Sequence, residues 1–210
     1  MLKVENLSKR YGEQQIFCGL NLEINDGETL AVVGESGCGK TTLLRILSGL
    51  DKEYEGSVYI NGKEARGLVP NQRNMALVFQ QPVLWNHMTV EENILFPIRK
   101  RDRKANLKQI QHICQRLEID DLKKRYPGEI SGGQAKRVSL ARALVAGKEI
   151  LLMDEPLSNL DSDTKEKVLF FLEEEYLGHL TTIYVSHDNL EVSRLTENVM
   201  QLDSGIYHKI

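Results

Sequence analysis

The sequence has few of the features that mark secreted, membrane-spanning or nucleic-acid-binding proteins. Its three cysteines, Cys18, Cys38 and Cys114, are odd in number and widely spaced, which argues against a disulfide framework or a zinc site. Its uncharged apolar runs are strand-sized, well short of the ~18 residues that a membrane span needs. Lys and Arg number 27 against 30 Asp and Glu, so there is no basic excess for nucleic acid. We therefore expect a cytosolic protein with reduced thiols, no signal peptide and no obligatory nucleic-acid partner.

The remaining composition, 41% hydrophobic and 27% charged over 210 residues, is that of a folded α/β domain. The alternating runs Lys3–Leu7 and Gly56–Ile60 predict antiparallel strands near the N-terminus. Four continuous apolar runs predict strands covered on both faces, as in a parallel sheet. These runs are Thr29–Val33, Met75–Phe79, Ile150–Met153 and Thr182–Val185.

The part of the chain between residues 86 and 147 has helix-spaced apolar positions and no strong strand run. The expected helices are Glu91–Ile98, Asn106–Leu117 and Gln134–Ala146. We predict one domain over 1–210, with a core of 1–85 and 148–210 and a helical subdomain of about 86–147. A further helix is expected over 163–177, and a closing hairpin over Val199–Tyr207 around Ser204-Gly205.

A phosphate-binding loop is predicted after the strand Thr29–Val33. The residues Gly34-Glu35-Ser36-Gly37-Cys38-Gly39-Lys40-Thr41 fit the pattern G-x-x-x-x-G-K-S/T, and a helix carrying Leu43 to Leu50 follows. Backbone N–H groups of such a loop cradle phosphates, Lys40 reaches the β- and γ-phosphates, and Thr41 is a ligand for Mg²⁺. Thr42 completes the candidate phosphate-binding set. An ordinary glycine-rich turn is the plain alternative.

Two carboxylates end the apolar run Ile150–Met153. Asp154 is the candidate ligand for Mg²⁺, and Glu155 is the candidate general base for an attacking water. Alone, this pattern fits a simple turn at a strand end, but together with the phosphate loop it favours nucleotide hydrolysis.

The segment Ile130-Ser131-Gly132-Gly133-Gln134, followed by a helix from Ala135 to Leu144, resembles the signature of ABC-transporter ATPases. The resemblance covers essentially the whole chain and implies a P-loop NTPase fold, a RecA-like mostly parallel sheet, with an N-terminal antiparallel part and an inserted helical subdomain. It also implies that Ser131, Gly132, Gly133 and Gln134 of one subunit close over ATP held by another subunit. The chain departs from the usual signature at Ile130 and at Ala135-Lys136.

The same resemblance implies roles for four further residues. Tyr11 would stack on adenine, although a lone tyrosine also suits a core or surface position. Gln80, with Gln81 as the alternative, would touch Mg²⁺ and the attacking water. Asp161, in Ser158-Asn159-Leu160-Asp161, would lie at the dimer interface. His187 would contact the γ-phosphate and orient Glu155.

The expected partners are ATP, a second ATP-binding subunit, separate transmembrane permease subunits and a solute-binding protein. The permease would dock near Gln80 against Val83, Leu84 and Trp85, with a core position as the alternative for Trp85. The basic run 99–104 would face anionic lipid or remain a solvated helix end. We expect a location on the cytoplasmic face of the membrane, import over export, and no C-terminal regulatory domain.

Cys38 is a candidate reactive thiol, because it lies near a helix N-terminus, although a small residue also suits that position. Other function classes explain less. A P-loop kinase or GTPase leaves Ser131-Gly132-Gly133-Gln134 without a role, and ABC proteins of DNA repair usually carry longer insertions. A soluble scaffold ATPase of the same family remains an alternative.

Overall fold

Two β-sheets and six α-helices form the molecule, and the computed structural model describes residues 1–203 and 206–209. The first sheet is antiparallel and has the strand order β2-β1-β4-β5. Its strands are β1 (Leu2–Tyr11), β2 (Gln14–Ile24), β4 (Glu55–Ile60) and β5 (Lys63–Glu64). Leu2 and Val4 of β1 are buried on one face, because alternate side chains of a strand point to the same face. The pairing of β1 with β2 shifts register between Val4 and Leu7, and Leu7 is buried as well.

The second sheet has the order β10-β9-β3-β8-β7-β6, and all of its described pairs are parallel except β9 with β10. Its strands are β3 (Thr29–Val33), β6 (Met75–Val78), β7 (Ile150–Asp154), β8 (Thr181–Val185), β9 (Val199–Asp203) and β10 (Ile206–Lys209). The paired strands of the expected closing hairpin are therefore present. Its turn residues, Ser204 and Gly205, lie outside the described residues.

Both faces of the parallel sheet are covered, as the continuous apolar runs predicted. Ile150 and Leu152 of β7 pack into a core shared with the antiparallel sheet and α1 (Lys40–Ser48). Leu151 and Met153 point the other way, into a core formed with the other helices. These helices are α2 (Val90–Leu95), α3 (Leu107–Arg116), α4 (Gly132–Val145), α5 (Ser162–Glu175) and α6 (Asn189–Leu195).

Three of the helices, α2, α3 and α4, lie between β6 and β7, which are neighbours in the sheet. The chain therefore leaves the sheet after β6, forms a helical layer and returns beside the same strand. This arrangement confirms the predicted α/β class with an antiparallel N-terminal part and inserted helices. The division of the domain at about 86 and 147 stays a prediction.

Several predicted boundaries are wrong by a few residues. The helix after the phosphate loop ends at Ser48 and not at Leu50, because Gly49 adopts a left-handed conformation at φ 81° and its N–H bonds back to Arg45 and Ile46. Leu50 is consequently 47% exposed. The helix expected over Glu91–Ile98 ends at Leu95, whereas α5 confirms the helix expected near 163–177 with its Phe171 face buried.

Among the α-helices and the strands longer than two residues in the described part of the chain, β2 and α6 were absent from the sequence-based prediction. Strand β2 lacks clean alternation, because Ile16 and Phe17 are both buried and its pairing with β1 contains register shifts. Helix α6 has seven residues, too few for a clear periodic pattern, but Asp188 caps it by accepting from the N–H groups of Leu190 and Glu191. In the described part of the chain, no helix is both long and apolar enough to cross a bilayer.

Candidate functional site

The phosphate loop, Gly34–Gly39, joins β3 to α1 and is shaped by close backbone packing. The Nζ atom of Lys40 donates to the carbonyl oxygens of Gly34 (2.7 Å) and Glu35 (2.8 Å), which closes the loop over the helix N-terminus. Gly39 has φ 106°, and a Cβ atom there would collide with the Phe17 ring. The loop therefore needs glycine at this position both for its conformation and for its packing on β2.

Thr41 and Asp154, both predicted to be ligands of Mg²⁺, are in direct contact. The Thr41 hydroxyl donates to Oδ2 of Asp154 at 2.6 Å. Asp154 is 4% exposed, and burial raises the pKa of its carboxyl group while the hydrogen bond from Thr41 opposes the shift. Hydroxyl and carboxylate oxygens are hard ligands of the kind that Mg²⁺ prefers. The residues present therefore fit a magnesium ion.

The Glu155 carboxylate is hydrogen-bonded to two side chains from separate parts of the chain. The Gln80 amide donates through Nε2 to Oε2 of Glu155 at 2.9 Å, and Nδ1 of His187 lies 3.1 Å from Oε1. Where the Glu155 carboxylate is the acceptor, the proton of the second bond is on Nδ1 of His187. Glu155 itself has φ 44°, and its N–H donates to the carbonyl oxygen of Val185.

A cavity of about 170 Å³ connects these groups. The phosphate-loop and α1 residues on its wall are Ser36, Gly37, Gly39, Lys40, Thr41 and Thr42, and the opposite wall is Gln80, Asp154 and Glu155. Gln80 and Glu155 also line a second cavity that contains His187. The structure thus brings together the predicted phosphate, metal and catalytic residues.

Residues predicted from the signature lie outside this cavity. Ser131 is the N-cap of α4, where its Oγ accepts from the Gln134 N–H and the Gln134 Oε1 accepts from the Ser131 N–H. Ser131 and Gly132 are exposed, and Gly133 is half-buried. This helix N-terminus therefore lies at the surface, outside the cavity that the phosphate loop of its own chain lines.

Two more predicted ligands, Asp161 and Tyr11, are also away from the cavity. Asp161 caps α5 by accepting from the Thr164 N–H at 2.9 Å, and this backbone hydrogen bond lowers the pKa of its carboxyl group. Tyr11 is 48% exposed and donates its hydroxyl to Asp51 at 2.7 Å. The ammonium group of Lys9 lies 4.5 Å from the centre of the Tyr11 ring.

Cys38 lies in the phosphate loop one residue before the N-cap Gly39, and its side chain is half-buried. The Sγ atom is 3.8 Å from Nζ of Lys40. Cys18 is exposed and Cys114 is buried. The three thiols therefore differ sharply in their access to solvent.

The expected permease-docking residues separate into two groups. Val83 is 57% exposed, whereas Leu84 packs against the helical core. Trp85 is half-buried and stacks on Phe96 at 4.0 Å between ring centres, with Arg142 over the ring at 4.7 Å. Phe96 is 52% exposed and was missing from the predicted set.

Sequence reasoning also missed the residues that hold Ser186 and Asp188, the neighbours of His187 in the chain. Glu191 is 4% exposed and accepts hydrogen bonds from Tyr184 and Ser186, both at 2.8 Å. Lys165 of α5 pairs with Glu191 and with Asp188. The spacing of Asp188 and Glu191, typical of a helix start, was a signal for this arrangement.

A second missed residue is Lys136, which is 5% exposed within α4. Its Nζ atom donates to the carbonyl oxygens of Glu155 (2.9 Å) and Ser158 (2.8 Å). Burial lowers the pKa of the Lys136 ammonium group, opposed by the nearby charge of Glu155. No local sequence pattern indicates this contact, because it depends on how α4 packs against the turn after β7.

Fold and site together are those of a P-loop NTPase of the cassette type. The chain belongs to the ABC transporter family, and the model of that family matches residues 17–158. The resemblance stated from the sequence is thus confirmed.

Particular relatives extend the similarity over the whole chain. It is 40% identical to the Fe(3+) ions import ATP-binding protein FbpC of Fusobacterium nucleatum, covering 97% of this chain and 56% of that protein. It is 38% identical to the sn-glycerol-3-phosphate import ATP-binding protein UgpC of Escherichia coli K12, covering 100% and 60%. The chain therefore spans less than two thirds of the length of these curated relatives.

A solved structure shares the fold over the whole length of this chain. A dimeric post-hydrolysis state of the ATP-binding cassette MJ0796, bound to ADP and Pi, superposes with a TM-score of 0.85 at 32% identity. The match covers 100% of this chain and 98% of that one. This likeness confirms the predicted P-loop NTPase fold class.

Proposed function

We propose that the chain binds and hydrolyses ATP as the energy-supplying subunit of an ABC transporter. The observation that carries the proposal is the Glu155 carboxylate, held between Gln80 and His187 at the edge of the phosphate-loop cavity. A general base needs a fixed position beside the water that it activates, and two hydrogen bonds supply it here. The family to which the chain belongs supports ATP as the nucleotide.

Each residue of the cavity then has a distinct task. Backbone N–H groups of Gly34–Gly39 cradle the phosphates, and Lys40 exchanges its bonds to the loop carbonyls for bonds to phosphate oxygens. Glu155 accepts the proton of the attacking water, while His187 holds the carboxylate and reaches the γ-phosphate. A bound Mg²⁺ would neutralise phosphate charge, held by Thr41, Asp154 and Oε1 of Gln80, since Nε2 of Gln80 is committed to Glu155.

The exposed start of α4 is the second half of the ATP site, contributed to another copy of the chain. The exposed start of this helix offers the N–H groups of Gly132 and Gly133 at a positive helix end, which suits the γ-phosphate of a nucleotide held elsewhere. Both halves lie in one chain, so two identical copies complete two sites head-to-tail. Gln134, Asp161 and Tyr11 would join the ATP contacts as the two copies close.

Transport requires partners outside this chain. The relatives named above are import ATP-binding proteins, and on that basis we propose that this chain drives solute import through separate permease subunits. Val83, Trp85 and Phe96 form an apolar surface for the permease, and a solute-binding protein would deliver the solute. The chain would then sit at the cytoplasmic face of the membrane.

The test is the oligomeric state of Glu155→Gln with and without MgATP, measured by light scattering beside phosphate release from the wild type. The glutamine keeps the size of the side chain but cannot accept the proton, so hydrolysis should fall by roughly 10²–10⁴-fold while ATP stays bound. We expect ATP-dependent dimers of this variant and steady turnover by the wild type. The double variant Glu155→Gln with Lys40→Ala, which lacks the phosphate ligand, should remain monomeric.

Two results would contradict the proposal. Wild-type protein that releases no phosphate, alone or with membranes containing its permease, is not an ATPase. A Glu155→Gln variant that hydrolyses ATP at the wild-type rate would show that Glu155 is not the general base.

A further inference from the structure

Lys136 connects two parts of the molecule that are far apart in sequence. It lies five residues after Ser131, about one and a half turns into α4. Its ammonium group donates to the carbonyl oxygens of Glu155 and Ser158 and to the Ser158 hydroxyl, so all three of its donors have acceptors. The start of α4 is therefore bonded to the turn that carries the general base.

That turn has a strained backbone. Glu155 has φ 44° and Asn159 has φ 63°, and residues other than glycine rarely adopt this backbone conformation. The Glu155 carbonyl accepts from Lys136, from the Ser158 hydroxyl at 3.0 Å and from the Ser158 N–H at 3.3 Å. Strained conformations persist where their surroundings over-determine them, and Lys136 supplies one of these bonds.

A packing role alone does not explain a lysine at this position. The helix is already anchored by Val138, Leu140 and Ala141, which are all buried. A buried ammonium group carries a desolvation cost that an apolar residue avoids, so its value lies in the bonds that it makes. Each of those bonds ends on the Glu155–Ser158 turn.

We propose that Lys136 is a positioning residue that couples the signature helix to the catalytic turn. The inference rests on the proposed ATPase function, and it adds that the Ser131–Gly133 helix start and Glu155 move as one unit. In a head-to-tail dimer, this helix start touches ATP bound by the partner copy. Lys136 would thus tie the engagement of one ATP to the placement of the base at the other.

The test compares Lys136→Met, which fills the space without donors, with Lys136→Gln, which keeps two donors on a shorter side chain. We expect Lys136→Met to lower kcat for ATP about tenfold or more with KM changed less than about twofold, because the phosphate loop is untouched. Lys136→Gln should fall between this variant and the wild type. Ser139→Ala is the matched control: Ser139 is buried one turn later on α4, and its hydroxyl has no partner among the described residues.

Amide hydrogen exchange gives a readout that does not depend on turnover. Exchange at Ser158 and Leu160 should accelerate in Lys136→Met, less in Lys136→Gln and not in Ser139→Ala. Unchanged amide exchange and unchanged kcat in Lys136→Met would overturn the proposal. It would also be overturned if Lys136→Met impaired kcat, KM and the thermal midpoint equally and Lys136→Gln restored none of them. If Lys136→Met does not fold, Lys136→Gln decides alone, and unchanged exchange at Ser158 overturns the coupling. Wild-type protein without turnover would refute the ATPase function, whereas exchange still tests the coupling.

Discussion

The phosphate loop contains a side chain, Cys38, that can be modified without changing the sequence. Its Sγ atom lies 3.8 Å from Nζ of Lys40, so any group attached there occupies space beside the phosphate-binding lysine. Loss of nucleotide binding is the expected consequence of modification.

We predict that alkylation of Cys38 with N-ethylmaleimide abolishes phosphate release and that MgATP protects against it. Mass spectrometry of the labelled peptides, taken beside residual activity, measures both. Cys18 is the internal control, because it is exposed and distant in sequence from the loop, so its labelling should leave activity intact. Equal labelling of Cys38 with and without MgATP would show that the nucleotide does not cover the loop.

Residue chemistry was predictable at some positions and not at others. The spacing of Lys40, Thr41, Asp154 and Glu155 relative to two apolar runs identified them, because parallel strands deliver their C-terminal residues to one edge. Lys136 was missed, since its partners come from another part of the chain and no local pattern encodes those contacts. Glu191 was missed although its spacing from Asp188 was a local signal for a helix start. Tyr11 illustrates a third case, in which the structure shows a hydrogen bond to Asp51 beside the predicted role.

At the scale of an element, α5 depends on a cap that titrates. Asp161 accepts from the Thr164 N–H, and this bond lowers the pKa of the Asp161 carboxyl group in the folded state. A folded-state pKa below the unfolded value of about 3.9 means that the cap stabilises the protein above that pH. The contribution is lost as pH falls through the folded-state pKa.

We predict that Asp161→Ala lowers the urea midpoint of the nucleotide-free protein at pH 7 and that its difference from wild type shrinks as pH falls below about 4. Asp161→Asn is the matched control, because asparagine also caps helices but does not titrate. Its difference from Asp161→Ala should stay constant over the same pH range. A wild-type advantage over Asp161→Ala that persists unchanged at pH 3 would contradict the assigned cap.

Element prediction succeeded where hydrophobic pattern decided the structure. The strands β3, β6, β7 and β8 were found within one residue at either end, because buried parallel strands are continuous apolar runs. Strand β2 was missed because its register shifts break the alternation, and α6 because it is short. Helix ends were displaced where a cap, such as Gly49, rather than apolar periodicity ended the helix.

At the scale of the whole molecule, the two halves of the proposed ATP site lie at separate places on the chain. The phosphate loop and Glu155 line one cavity, whereas Ser131 and Gly132 lie exposed at the start of α4 and outside it. A single copy therefore carries two different halves of the proposed ATP site, which cannot complete each other within that copy. This geometry predicts that damage to each half can be separated between two copies.

We predict complementation between two inactive variants, Lys40→Ala and Ser131→Glu. The first lacks the phosphate-binding lysine, and the second places a carboxylate where the γ-phosphate of the partner's ATP would lie, so each alone should lose hydrolysis about 10²-fold or more. A mixed dimer joins the intact loop of one variant to the intact signature of the other and restores one of two sites. Phosphate release by an equimolar mixture should therefore exceed the sum of the separate variants. If Ser131→Glu alone hydrolyses ATP at the wild-type rate, the signature of a partner copy is not needed, and the site works within one chain.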